Sequence, residues 1–550
     1  IGPHSFRVVI EGHADPLFHC PNDKTLLCAH ALQAEQESLL QLVQTQYCAT
    51  ATLVRANGKL LNALTLDIPH TCLGVVEQAQ SVPADSNNDP NEHARLMANM
   101  DVWVQQLNRI PETMRAYVSS NWYPGGLRET VEYVGSLATT LELCLKGDGV
   151  RVAILDSGLD YTHQALSGNG TLEAYAAAYG FNKDDPLNTQ RDGLFPTPRV
   201  VGGYDFIGDA VRPTDPNWDA LAEDNDPIDG ALGHGTGVAH ALLGVAGEAQ
   251  LIGLKVCVVA GECPEFAILS AMEYALDPNG DNDTSDHVDI INLSLGRPYT
   301  HPYYSAVSKA IEDAFRLGVL TVVAAGNQGN RPGIIFEAAS TPNALAVGAT
   351  GVAESIYEGG MADYSSRGSP SSVEIKPDLV APGGPFDLAA AGTGSIYHKG
   401  IEGTSYSAPL VAGAAALIKQ RCPECSPFTI KSILMNNARR DIKYTTVDRN
   451  KLAPISWAGA GELLVYSSLT ANFWAYNLVD MQPSVSLGVW NVAQDTVISK
   501  TIRVRLMDDQ ASNQPLNIRA SFQFRDPEHA DMMRVSFSPQ SFSLERTCGD

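Results

Sequence analysis

Arg151-Val152-Ala153-Ile154-Leu155-Asp156-Ser157-Gly158 decides the fold: an apolar run closed by an acid and a Ser-Gly turn. A strand that is apolar at every position from Val152 to Leu155 has no face to give to water. Both of its faces must be covered, which is the condition of a parallel strand lying between helices. The same texture recurs at Leu251–Val256, Val288–Leu293, Val319–Ala325 and Ala344–Val347, with helical stretches between. Residues 134–466 are therefore expected to form an α/β domain, a three-layer doubly wound parallel sheet. Asp156 then sits at the carboxyl end of its strand, where open sheets of this kind place their sites.

Working outward, residues 1–85 read as a small α/β module, with a strand at Phe6–Ile10, an amphipathic stretch at Ala31–Val43 and two strands around Asn57-Gly58. Asn-Gly between apolar runs is the usual text of a tight hairpin turn. Residues 86–133 follow the polar run Asp85-Ser86-Asn87-Asn88-Asp89-Pro90 and read as a linker and processing region. Within it Leu96, Met100, Val104 and Leu107 recur at helical spacing. Residues 467–550 change to short alternating strands such as Thr501–Leu506, broken by polar turns, and predict a β-sandwich.

The 550 residues carry 37 Lys plus Arg against 62 Asp plus Glu, a formal charge of −25. That balance excludes broad attraction to nucleic acid or to an anionic membrane face, both of which need clustered cations. Apolar residues make up 44%, enough for a sizeable core. No apolar run reaches the roughly 18 residues of a spanning helix, and Ala408–Ile418 is too short. We expect a secreted protein whose signal lies upstream of this chain. Two of the ten cysteines form the close pair Cys257/Cys263 and two more the pair Cys422/Cys425. For Cys422/Cys425 a local disulfide or free thiols fit better than zinc, which wants a second pair at similar spacing.

Three further segments carry chemistry. His234 lies in Gly233-His234-Gly235-Thr236-Gly237, where the glycines leave the imidazole reachable from a cleft. Ser405 lies in Gly403-Thr404-Ser405-Tyr406-Ser407-Ala408-Pro409, directly before a helix of small residues, where its amide and the helix dipole favour a developing negative charge. Asn327 closes the strand running from Thr321 and can turn a side-chain N–H into the same cleft. Each residue alone is an ordinary cap or turn residue. Together they supply a nucleophile, a base, a carboxylate to orient the base and an oxyanion donor.

With Asp, His and Ser in that chain order, residues 134–466 resemble a subtilisin-like serine protease of the subtilase family. The resemblance rests on Ala153–Gly158, Gly233–Thr236 and Gly403–Pro409, and extends to Asp289–Gly296, Ala324–Asn327, Tyr364–Gly368 and Lys376–Pro382. It implies Ser405 as nucleophile, His234 as general acid and base, Asp156 as its orienting partner, and Asn327 with the Ser405 amide as oxyanion hole. It also implies that Ser294, Leu295 and Gly296 pair with extended substrate. Ala324, Ala325 and Gly326 would line the pocket for the residue before the scissile bond. His240 stands where relatives carry glycine, and Tyr406 where they often carry methionine; from Tyr406 we expect no effect.

Residues 1–85 resemble a subtilase propeptide, a small ferredoxin-like module that acts as an intramolecular inhibitor, and 467–550 resemble a fibronectin type III-like domain. The chain would then be a zymogen, cleaved between about Pro83 and Tyr133, with protein or peptide as substrate and no cofactor for catalysis. Structural calcium is expected at Asp277, Asn279, Asp281 and Asp283, which present oxygens at alternate positions. A second acidic group, Asp215, Asp219, Glu223, Asp224, Asp226 and Asp229, is a weaker ion site or a solvated insert. The alternative function is a catalytically silent subtilase scaffold used for binding.

Overall fold

The computed structural model describes four strands before residue 120. From residue 127 onward it describes the chain outside 209–222, 299–304, 352–358, 369–374, 445–450, 488–496, 508–514, 525–533, 545–550 and a few stretches of one or two residues. The amphipathic stretch Ala31–Val43, the spacing Leu96–Leu107 and the acids Asp215 and Asp219 lie outside the described residues. The chain divides into two units, Ile1–Tyr123 and Pro124–Asp550.

In the first unit, β1 (Ser5–Glu11), β2 (Thr52–Asn57), β3 (Ala63–Pro69) and β4 (Arg115–Ser119) form one antiparallel sheet in the order β2-β3-β1-β4. β2 and β3 meet at Asn57↔Ala63, so their connection takes residues 58–62 instead of the two-residue turn that Asn57-Gly58 signals. β4 pairs with β1 from Arg7↔Ser119 to Glu11↔Arg115. The sheet thus takes an edge strand from residues read in the sequence as linker, well beyond residue 85.

The second unit is built on seven parallel strands: β5 (Arg151–Asp156), β6 (Val200–Asp205), β7 (Gln250–Lys255), β8 (Ile290–Leu293), β9 (Leu320–Ala324), β10 (Leu345–Thr350) and β11 (Leu379–Pro382). Their order is β11-β10-β9-β8-β5-β7-β6. Because side chains alternate along a strand, β5 sends Val152 and Ile154 into one core and Ala153 and Leu155 into another. The first core holds helices His234–Val245 and Thr404–Arg421, and the second holds Glu265–Leu276 and Ala306–Arg316. This is the expected three-layer, doubly wound arrangement. Each Val, Leu or Ile so buried contributes about 1.5–3 kcal/mol by leaving water.

Thr404–Arg421 is the central helix, buried without interruption from Thr404 to Ile418, so its small residues serve close packing against the sheet. Helix Leu127–Tyr133 belongs to this unit, with Leu127 buried in the first core, so the domain begins earlier than residue 134. A hairpin of β12 (Phe386–Ala389) and β13 (Tyr397–Ile401) follows the sheet.

The tail shows two antiparallel ladders among the described residues: β14 (Phe473–Asn477) with β15 (Ile502–Leu506), and β16 (Leu516–Arg519) with β17 (Ser541–Leu544). The boundary drawn at residue 467 falls inside helix Val465–Leu469. Trp474 and Tyr476 of β14 are buried against Phe428, with ring centroids 5.8 and 5.0 Å away, so β14 docks on helix Pro427–Asn436. Cys257 is bonded to Cys263 and Cys422 to Cys425.

Candidate active site

β5, β8 and β9 lie side by side, and their carboxyl ends deliver Asp156, Ser294 and Asn327 to one cavity of about 400 Å3. Asp156 is 2% exposed. Its Oδ1 accepts from the Ser157 amide at 2.8 Å and from His234 Nδ1 at 2.7 Å. The second contact fixes the tautomer: Nδ1 donates to the carboxylate, which leaves Nε2 as the free base. Burial works against the imidazolium, but the charge of Asp156, its hydrogen bond and the charge of Asp229 outweigh it. The His234 pKa is held above the usual 6.5.

His234 is the first residue of its helix, and Gly233 before it has no side chain with which to cap the exposed amides. Asp229 does this from upstream. Its Oδ1 accepts from the Gly233 amide at 3.2 Å, and its Oδ2 accepts from the Thr236 amide at 3.1 Å and the Thr236 hydroxyl at 2.7 Å. The carboxylate therefore grips the chain on both sides of His234. Burial, with Asp156 adding repulsion, pushes the Asp229 pKa up to about 7 against the lowering pull of Thr236. Gly235 lies so close to β5 that an added Cβ would come within 2.2 Å of the Gly158 carbonyl oxygen. A side chain there would push His234 away from Asp156.

Ser405 is the second residue of helix Thr404–Arg421 and is 9% exposed. Its hydroxyl donates to the Ser294 carbonyl at 3.2 Å, while the Ser294 hydroxyl donates to the Ser405 carbonyl at 2.7 Å. This clasp joins the end of β8 to the helix start. In this rotamer Ser405 Oγ bonds Ser294 and not the His234 ring, although both residues line the cavity. Catalytic hydrogen bonds are often loose without substrate and tighten when it binds. Asn327 Oδ1 accepts from the amide and hydroxyl of Thr404, both at 2.9 Å, which leaves the Nδ2 donor for the cavity.

Asp156, His234, Ser294, Leu295, Gly296, Asn327 and Ser405 all line this cavity. Ala324, Ala325 and Gly326 are buried beside it instead. The Ala325 carbonyl accepts from the Phe336 amide and the Gly326 carbonyl from the Ser366 amide, so the lining is taken over by Phe336, Glu337 and Ala338. No sequence motif pointed to that trio. Tyr406, from which no effect was expected, packs its ring against His234 with centroids 5.6 Å apart, and burial pushes its hydroxyl pKa up. His240 Nδ1 accepts from the Ala389 amide at 3.2 Å, which ties the helix after His234 to the β12–β13 hairpin.

The expected calcium residues form a run of local turns. Asp277 accepts from the Asp281 and Asn282 amides, Asp281 from the Asp283 amide and Asp283 from the Ser285 amide, so each carboxylate closes a local turn. Among the described residues, Asp277, Asp281 and Asp283 do not form a group whose carboxylate oxygens all lie within 4.8 Å of one another. In the second acidic group Asp226 accepts from the Tyr161 hydroxyl and the Ile228 amide, and Asp229 caps the helix described above. Both are buried, so neither belongs to a solvated insert.

A parallel sheet that brings Asp, His, Ser and Asn to one cleft defines the class of serine peptidases built on an α/β core. The subtilase family model matches residues 147–455. Serine protease AprX of Bacillus subtilis (strain 168) is 28% identical over 309 residues, 53% of this chain and 62% of that protein. Subtilisin Savinase of Lederbergia lenta is 31% identical over 303 residues, 54% of this chain and 85% of that protein. Among solved structures, Sphericase aligns with 27% identity and a TM-score of 0.43 over 58% of this chain and 92% of that one. The chain belongs to the subtilase family.

Proposed function

We propose that this chain is a serine endopeptidase that hydrolyses peptide bonds through an acyl-enzyme, made as a zymogen with its own inhibitor attached. The observation that carries the reading is the 2.7 Å contact from His234 Nδ1 to a buried Asp156, in a cavity that Ser405 and Asn327 also line. Ser405 Oγ attacks the substrate carbonyl carbon while His234 Nε2 takes its proton, and Asp156 stabilises the imidazolium. The oxyanion so formed accepts hydrogen bonds from Asn327 Nδ2 and the Ser405 amide. Collapse breaks the C–N bond, and the leaving amine takes the proton from His234. Water, deprotonated by His234, then releases the acyl group from Ser405. Extended substrate runs along Ser294–Gly296, where main-chain pairing gives affinity with little sequence preference.

The antiparallel sheet of the first unit supports the propeptide reading. That β4 ends at Ser119 and helix Leu127–Tyr133 belongs to the second unit supports cleavage between residues 119 and 127, within the expected span from about Pro83 to Tyr133. The bonds Cys257–Cys263 and Cys422–Cys425 support an oxidising, extracellular destination.

The test is to incubate the purified chain and follow release of the N-terminal unit by mass, beside Ser405→Ala. Release in the wild type alone, with a serine-reactive phosphonate labelling Ser405 afterwards, is the expected result. Equal release in both would remove self-cleavage. Absence of labelling in the processed protein would favour the binding scaffold.

A further inference from the structure

We propose that Phe336 fills the slot meant for the substrate side chain before the scissile bond, so that this enzyme accepts small residues there, glycine, alanine or serine, and excludes aromatic ones. The inference rests on the proteolytic reading above. Ser294-Leu295-Gly296 lines the cavity on one side of the ring, and Ala324-Ala325-Gly326, expected as the opposite wall, lies buried behind it. A Cβ built on Gly296 would lie 2.7 Å from Cβ, Cγ and Cδ2 of Phe336, and one built on Gly326 would lie 3.0 Å from its Cε1. A single ring therefore spans the space between the walls, and both walls are glycine where it meets them. The ring is 9% exposed and lines the same cavity as Ser405 and Asn327.

The main chain holds the ring in place from both sides. The Phe336 amide donates to the Ala325 carbonyl at 3.0 Å, on one wall, and the Glu337 amide donates to the Arg297 carbonyl at 3.0 Å, beside the other. Glu337 adds a buried brace, its Oε1 accepting from Arg297 Nη2 at 3.0 Å and from the Ser305 hydroxyl at 2.8 Å. Ser340 completes it by donating its amide and its hydroxyl to the Phe336 carbonyl, at 2.9 and 3.0 Å. These bonds fix the main chain that carries the ring, and the ring itself is held by burial against Gly296 and Gly326. A close-packed slot accepts a methyl group against the ring face, whereas a second benzyl group needs volume that is already occupied.

The experiment uses the full chain, incubated until processing stops, and two peptide anilides that differ only in Ala or Phe before the scissile bond. The expected wild-type kcat/KM favours Ala by at least about tenfold, and Phe336→Ala moves the ratio toward Phe by at least about tenfold. A wild type that prefers Phe or treats the two alike would overturn the proposal, as would an unchanged ratio in a folded Phe336→Ala that takes the phosphonate. Should Phe336→Ala not fold, wild-type inactivation rates by peptide phosphonates ending in Ala or Phe decide the matter in the same sense. The failures are distinguishable. Cleavage with a flat ratio removes only this inference, whereas no cleavage of either peptide and no labelling removes the proteolytic reading and this inference with it.

Discussion

Asp229 stands in the sequence as one of six acids ahead of His234, with nothing to set it apart. In the fold it is fully buried and holds Gly233 and Thr236, so it positions the imidazole without touching substrate. Asp229→Asn keeps the shape but puts a donor where one of the two oxygens accepted, leaving buried N–H groups unpaired. We expect kcat/KM to fall by about 10- to 100-fold, since small misplacements at a reacting centre are costly. Where Asp229 is ionised, near and above pH 7, its charge favours the imidazolium, so the upper part of the acid limb of the pH–rate profile should move to lower pH in Asp229→Asn. Stability gives a second check. The folded pKa of Asp229 lies near 7, above its ordinary 3.8, so its contribution is fully present below 3.8 and is lost as pH rises toward 7. The wild-type advantage in Tm over Asp229→Asn should therefore shrink across that window. A merely structural role would leave the pH–rate profile in place.

At the scale of an element, helix His234–Val245 carries the base at its start and His240 two turns later, and the two rings meet different needs. The His240 pKa is pushed down to about 4 by burial and by the neighbouring His163, so the ring is neutral and its Nδ1 can accept from Ala389. Tyr397 lies between the two histidines, with centroids 5.3 Å from His240 and 5.5 Å from His163. A histidine whose folded pKa is depressed refuses a proton that the unfolded chain binds. Stability is therefore full above about 6.5 and falls as pH drops toward 4. His163, lowered by burial, acts in the same direction, while Asp160, raised by burial, acts in the other. Replacing His240 with Gln keeps an acceptor and removes its titration, so the Tm of His240→Gln should fall less steeply than wild type between pH 6.5 and 4. Parallel curves for the two proteins would show that the ring does not carry the acid sensitivity. The sequence marked His240 as a departure from its relatives, but the partner that explains it, Ala389, lies 149 residues away.

For the whole molecule, the C-terminal segment bears on the peptidase core through a few aromatic rings. Trp474 is 8% exposed and stacks on Tyr476 at 5.2 Å over Phe428. Trp474→Ala should cost about 3–5 kcal/mol of stability, measured by denaturant or thermal melting. Ser543→Ala in the exposed β16–β17 ladder should change stability by no more than about 0.5 kcal/mol. Equal effects would mean that the tail does not brace the core. The parts legible in the sequence are those fixed by neighbours along the chain. Strand β5 shows itself by four consecutive apolar residues, the base by flanking glycines, and the nucleophile by the helix that follows it. Strand ends then follow from the geometry of a parallel sheet and helix starts from the runs of small residues after them, which is why Asp156 and Asn327, His234 and Ser405 are legible together in the sequence. The tertiary structure alone decided the rest: that β4 closes the first sheet about a hundred residues after β1, that the acids at 277–283 cap turns, that Asp229 grips the base, and that one phenyl ring stands between two glycine walls. Each of these depends on contacts between segments far apart in the chain. Local pattern records how a residue suits its own strand or turn, whereas what presses against it is set only when the layers close.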